Sequence, residues 1–193
     1  MQRCAKQSMA RYDRGVQAQA PPVPTSSTLR HATRLRRSYF DVRFGQLHLH
    51  NAIPAGGGFD ELTPLLCVHD AAQTGRTWAD VLAQLGTDRS VYAPDLPGCG
   101  ESDAAPGLGF ADAAAVALGD FIDDLRLRRF DLLAVGQGVQ AAALLAAARG
   151  AAVRRFVALD PPAAVQPAPA LVLSGAQAAA SARCAALRRF LVP

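Results

Sequence analysis

PLLCVHDAAQTGRTWADVLAQLGTDRSVYAPDLPGCGESD, residues 64–103, holds two apolar runs of strand length on either side of a segment with helical spacing. The run over residues 65–69 shows no polar alternation, the pattern of a strand covered on both faces. Trp78, Val81, Leu82 and Leu85 recur at helical intervals, which predicts a helix over residues 74–85. Residues 90–93 form a second buried strand that ends at Pro94 and Asp95, and the glycines of PGCGES, residues 97–102, make a loop. Strand, helix and strand in that order predict a parallel pair joined by a crossover.

The same alternation extends in both directions. Residues 39–44 and 46–51 alternate apolar and polar around Gly45 and read as a hairpin or two successive strands, followed by a glycine-rich loop at residues 55–59. Beyond the opening stretch, Val116, Phe121, Ile122 and Leu125 mark a helix over residues 110–127. A strand at 130–135, a helix at 139–149, strands at 156–159 and 171–173 and a helix at 178–190 complete the order. The expected fold is α/β, a mostly parallel sheet with helices on both faces. Ligands of such sheets sit beyond the carboxyl ends of the strands, an edge that here carries His69, Asp70, Asp95, Gly136, Gln137, Asp160 and Gly175.

The chain has 193 residues, half of them hydrophobic, the size and apolar content of one domain. Its net charge of +4 is uneven, because residues 1–37 hold eight Lys or Arg against the single acid Asp13. That head lacks a sustained apolar period and is expected to be a basic disordered tail, with residues 38–193 as the folded domain. It lacks the apolar stretch of a secretory signal, and no window approaches the ~18 apolar residues of a membrane span. Cys4, Cys67, Cys99 and Cys184 form no CxxC pair, so neither a zinc site nor a disulfide framework is expected, and the compartment reads as reducing and cytoplasmic.

The strand-turn-helix junction FDLLAVGQGVQA, residues 130–141, has two readings. Its GQGVQA matches GxGxxA, and Asp160 follows Gly136 by 24 residues at a strand end, the spacing of a dinucleotide fingerprint. Such a fingerprint usually opens its fold, whereas here at least three strands come first.

The second reading comes from resemblance. Residues 64–103 resemble the signature of α/β-hydrolases, in which one strand ends in a His-Gly loop and the next in PDLPGxGxS. Here those pieces are His69-Asp70 and the eight residues from Asp95 to Ser102. DFIDDLRLRRFDLLAVGQG resembles the helix and strand that lead into the family's nucleophile elbow, and the likeness runs from about Tyr39 to about Leu191. The resemblance puts the elbow at Ala134 to Gly138, with Gly136 in the nucleophile's place. It puts Asp70 where the family has a second small residue, beside the amides of Ala71 and Gln137 that should hold an oxyanion. The region that delivers the catalytic acid, residues 177–181, has no carboxylate, and Asp160 is the substitute. All four histidines, His31, His48, His50 and His69, precede the elbow, and His48 and His50 share one strand face as partly exposed structural side chains. The proline-rich connection at residues 161–169 has no room for the family's cap, and a final strand and its histidine loop are missing.

The expectation is therefore an α/β-hydrolase-like protein, without cap or final strand, that lacks classical hydrolase activity and serves as a binding or scaffold protein. No catalytic residue, metal or cofactor is expected, and the binding candidates are Asp70, Ala71, Asp95, Gly136, Gln137 and Asp160. The alternatives are an ester or related hydrolase or lyase using non-standard residues or a partner's side chain, and a dinucleotide-binding domain through GQGVQA. The expected partners are a small-molecule ligand and a second copy of the chain at the open edge of the strand at 171–173, with neither nucleic acid nor membrane.

Overall fold

A computed structural model describes residues 33–55, 62–162, 165–173 and 180–191. Seven strands form one sheet: β1 (Arg34–Val42), β2 (Gly45–Ile53), β3 (Leu65–Val68), β4 (Val91–Pro94), β5 (Phe130–Val135), β6 (Val153–Leu159) and β7 (Leu171–Leu173). Four helices lie between or after them: α1 (Ala79–Leu85, entered through a 3-10 turn at Gly75–Trp78), α2 (Phe110–Asp124), α3 (Gly138–Arg149) and α4 (Ala180–Leu191). The spatial order is β1-β2-β4-β3-β5-β6-β7. The β1–β2 and β2–β4 pairs are antiparallel, and every pair from β4 to β7 is parallel. The expected α/β class and its mostly parallel sheet are what the chain forms.

Alternation within each buried strand divides the core between two layers. Leu66, Val68, Leu132 and Ala134 pack with Phe121 and Ile122 of α2 and with Val139 and Leu145 of α3. Leu65, Cys67 and Leu133 face the other way, against Val81 and Leu85 of α1 and Leu187 and Leu191 of α4. α3 lies so close to β3 that a Cβ at Gly138 would stand 2.2 Å from the His69 carbonyl oxygen. Only glycine lets the helix begin there.

β1 begins at Arg34, four residues inside the expected tail, so the boundary at residue 37 is corrected. Arg34, Leu35, Arg36 and Arg37 continue the ladder against Ile53, Ala52, Asn51 and His50. Backbone pairing decides the matter where side-chain charge suggested solvent. Residues 1–32, residues 56–59 of the glycine-rich loop, Gly175 and residues 177–179 of the expected acid region lie outside the described residues. Among those described, no helix is long and apolar enough to cross a membrane.

One buried charge cluster ties α4 to the sheet. Asp131 at the start of β5 is fully buried and takes a two-pronged ion pair from Arg154, at 2.8 and 2.6 Å. Arg89, also fully buried, lies 3.8 Å from the same carboxylate and bonds Asp88 at 3.0 Å. Both guanidiniums also donate to the Leu191 carbonyl, at 3.5 Å from Arg89 and 2.6 Å from Arg154, where the negative end of the α4 dipole favours cations. Asp131→Ala leaves these cations without their carboxylate. It is expected to lower unfolding free energy by about 3–5 kcal/mol, read from urea denaturation midpoints.

Candidate functional site

The parallel strands point their carboxyl ends at one edge, where β3 delivers His69 and Asp70, and β5 delivers Gly136 and Gln137. His69 is fully buried, and its Nε2 accepts the Leu96 N–H at 2.8 Å. That leaves Nδ1 to carry the proton, donated to the Asp70 carbonyl at 2.8 Å. Burial lowers the His69 pKa, so the ring is neutral with both nitrogens engaged. It anchors the β3 and β4 loops to each other.

Asp70 Oδ1 accepts two backbone N–H groups, from Ala71 at 2.8 Å and Gln137 at 3.0 Å. These are the two amides that the resemblance assigns to an oxyanion. They hold a carboxylate of the chain itself. Gly136 sits opposite with φ at +55°, and a Cβ there would lie 2.5 Å from Asp70 Cγ and Oδ2. The turn tolerates a positive φ because its residue is glycine, and Asp70 tolerates its own position because that glycine has no side chain. The resemblance places Asp70 beside these amides. The structure goes further, because the carboxylate occupies the place.

Asp95 follows β4 and belongs to a different cluster. It is 2% exposed, and Oδ1 accepts the Gly75 N–H at 2.6 Å, while Oδ2 accepts the Glu101 N–H at 3.1 Å and bonds His48 Nδ1 at 2.9 Å. Ser102 Oγ donates to the Asp95 carbonyl at 2.6 Å and accepts the His48 N–H at 2.8 Å. Burial pushes the Asp95 carboxyl up, but the hydrogen bonds from His48, Glu101 and Gly75 together hold it below the usual carboxylate range. A general-acid role needs the opposite shift, so proton donation by Asp95 is not supported.

His48 is 1% exposed, which corrects its reading as partly exposed: the Tyr39 ring, 5.0 Å away, and Asp95 close over it. His48, His50 and Asp95 each offer a ligand atom within 4.8 Å of the others, the arrangement among the described residues that could hold a metal. The two amides already on Asp95 and the charges of Arg37 and Arg76 acting on His50 oppose a dication there. Cys99 donates to the Ala71 carbonyl at 3.5 Å, and burial, followed by the Asp95 charge, raises its pKa, so it is no thiolate nucleophile. Asp160 ends β6 in a left-handed conformation at φ +44°, with its N–H on the Leu173 carbonyl at 3.0 Å. The residue before it, Leu159, accepts the Gly136 N–H at 3.1 Å, so Asp160 follows directly on a strand bonded to the elbow.

Residues 65–193 match the model of the alpha/beta hydrolase family. Among solved structures, the epoxide hydrolase CorEH is 22% identical, with a TM-score of 0.59 over 66% of this chain and 43% of that one. The protein Cfl2 from Burkholderia cenocepacia is 26% identical, with a TM-score of 0.59 over 69% of this chain and 44% of that one. An epoxide hydrolase from Vigna radiata is 19% identical, with a TM-score of 0.58 over 67% and 41%. This chain spans less than half the length of each of the three. No curated protein matches it.

Two consequences can be measured. Gly136→Ser should cost about 1–3 kcal/mol in urea denaturation, from the left-handed backbone and the contact with Asp70. Asp70→Ala should recover part of that loss when combined with it, although the single Asp70→Ala change destabilises by freeing two amides. For Asp95, the folded pKa lies below the unfolded value of about 3.9. Its stabilisation is fully present above that value and disappears as pH falls through the folded one. The stability difference between wild type and Asp95→Asn should therefore be largest near neutral pH and shrink below about pH 4.

Proposed function

This chain belongs to the alpha/beta hydrolase family, and from that membership we propose that it does not perform serine-type hydrolysis and keeps the strand-end site as a closed element of a binding or scaffold protein. The observation that carries the reading is the double hydrogen bond from Ala71 and Gln137 to Asp70 Oδ1 across from Gly136. Acyl transfer by an elbow needs a nucleophile on the turn and empty donors for the charge that develops on the carbonyl oxygen. Gly136 supplies no nucleophile, and the donors already bond a full negative charge. A substrate carbonyl would have to displace a charge-assisted hydrogen-bonded pair to reach them.

The Asp70 carboxylate also supports a second reading. Oδ1 takes both amide bonds, which leaves Oδ2 facing Gly136, in the space a nucleophile's side chain would fill. A carboxylate so placed can attack a strained electrophile, and the names of two similar proteins make an epoxide the substrate to try. Ring opening leaves an alkoxide that needs a proton donor. His69, the nearest imidazole in sequence, has both nitrogens engaged in holding loops.

p-Nitrophenyl acetate and styrene oxide, offered to the full chain beside an active esterase and an active epoxide hydrolase, separate the readings. Neither should turn over above buffer, and a serine-directed phosphonate should leave the protein mass unchanged. Epoxide turnover that disappears in Asp70→Asn would establish the second reading, and ester turnover blocked by the phosphonate would overturn both.

A further inference from the structure

A cavity of about 350 Å³ opens on the opposite flank of β2, between the outermost strand β1 and the 3-10 turn that leads into α1. Arg36 and Arg37 of β1 and Arg76 of the turn line it, with His50. Leu35 and Arg37 share the face of β1 that turns toward α1, and Arg36 borders the opening at the strand edge. Leu35, Ala79 and Leu82 supply an apolar wall. Its lining contains no carboxylate, and it shares no residue with the elbow.

The three guanidiniums make no ion pair among the described residues, unlike Arg43, Arg89, Arg149, Arg154 and Arg188, each of which has an aspartate within 4.0 Å. Arg37 acts at longer range on Glu101, whose carboxylate is hydrogen-bonded to the Tyr39 hydroxyl, and Asp95 lies 3.8 Å from His50 Nε2. Arg37 and His50 are direct cross-strand partners, and such pairs hold side chains about 5 Å apart on one face. Like charges brought together around a concave apolar wall are unfavourable in the empty protein and favourable around an anion. Guanidinium matches phosphate oxygens with paired N–H donors, which a dianion answers better than a single carboxylate.

We propose that this cavity binds a small phosphate monoester, its phosphate held by Arg37 and Arg76, with Arg36 adding charge at the rim, and its short apolar body lying on Leu35, Ala79 and Leu82. The volume lies near the lower end of small-molecule sites, about 300–1,000 Å³, and favours a compact molecule over a polymer.

Phenyl phosphate and inorganic phosphate, titrated calorimetrically into the full chain, give the test. Phenyl phosphate should bind with a Kd of about 1 mM or tighter, and inorganic phosphate more weakly because it leaves the apolar wall uncovered. The double variant Arg37→Gln/Arg76→Gln should bind phenyl phosphate at least about tenfold more weakly, the scale of a lost charge-assisted hydrogen bond. Its thermal midpoint should not fall, since both side chains are exposed and form no ion pair and their removal relieves like-charge repulsion. Arg43→Gln, which removes one positive charge elsewhere, should keep the wild-type affinity. The proposal fails if phenyl phosphate shows no binding at 10 times that concentration, or if Arg43→Gln weakens it as much as the double variant. It also fails if a short single-stranded oligonucleotide binds more tightly with a steep salt dependence, which would make the patch a nucleic-acid surface.

Discussion

The Asp70 carboxylate on the amides of Ala71 and Gln137 fixes the strand-end face of this protein. Those N–H groups lie at the β3 loop and at the residue that precedes α3, so the bond joins two parallel strands at their carboxyl ends. A donor left bare in a partly buried corner is costly, and a carboxylate satisfies two at once. The same arrangement requires that residue 136 have no side chain, because any Cβ would meet the carboxylate at 2.5 Å. Glycine at 136 and aspartate at 70 are thus one adaptation made at two positions. Either alone would leave a clash or a pair of empty donors.

A second carboxylate does similar structural work one strand away. Asp95 gathers the 3-10 turn through Gly75, the PGCGES loop through Glu101 and the antiparallel hairpin through His48. Gly75 has no space for a Cβ, which would lie 2.2 Å from the Ala93 carbonyl oxygen, so the turn can approach this closely only through glycine. Asp95 therefore sets how β2, β4 and α1 meet. Its low pKa follows from that bonding rather than from any catalytic need.

The elements were legible because the signals were local and strong. The uninterrupted apolar run of β3, the helical stripe of α2 and the glycine-broken junction after β5 each describe an environment that the fold supplies, and their bounds agree within a few residues. The start of β1 was not legible, since three arginines in four residues look solvated until β2 offers a ladder for their backbone. For the site, sequence position placed Asp70, Ala71, Gly136 and Gln137 together, but not the direction of the carboxylate. Whether Asp70 would turn away from the amides or onto them depends on the space left by Gly136, a three-dimensional fact with no periodicity to reveal it. His48 was misjudged for a related reason: Asp95, which closes over it with the facing Tyr39, comes from the loop after β4.

The distribution of charge then follows from where carboxylates are needed. Asp70 and Asp95 are tied to backbone amides at the strand ends, and Asp131 to Arg154 and Arg89 under α4. Asp120 and Asp123 bond Arg43 and Arg149 across α2. Each of these carboxylates neutralises a group that packing has placed beside it. β1 is the edge strand, where among the described residues no carboxylate comes within ion-pair distance of Arg36 or Arg37, and none comes so near Arg76 in the turn before α1. The positive cavity is thus what remains when the interior has satisfied its own donors, and its charge is free to be matched from solution.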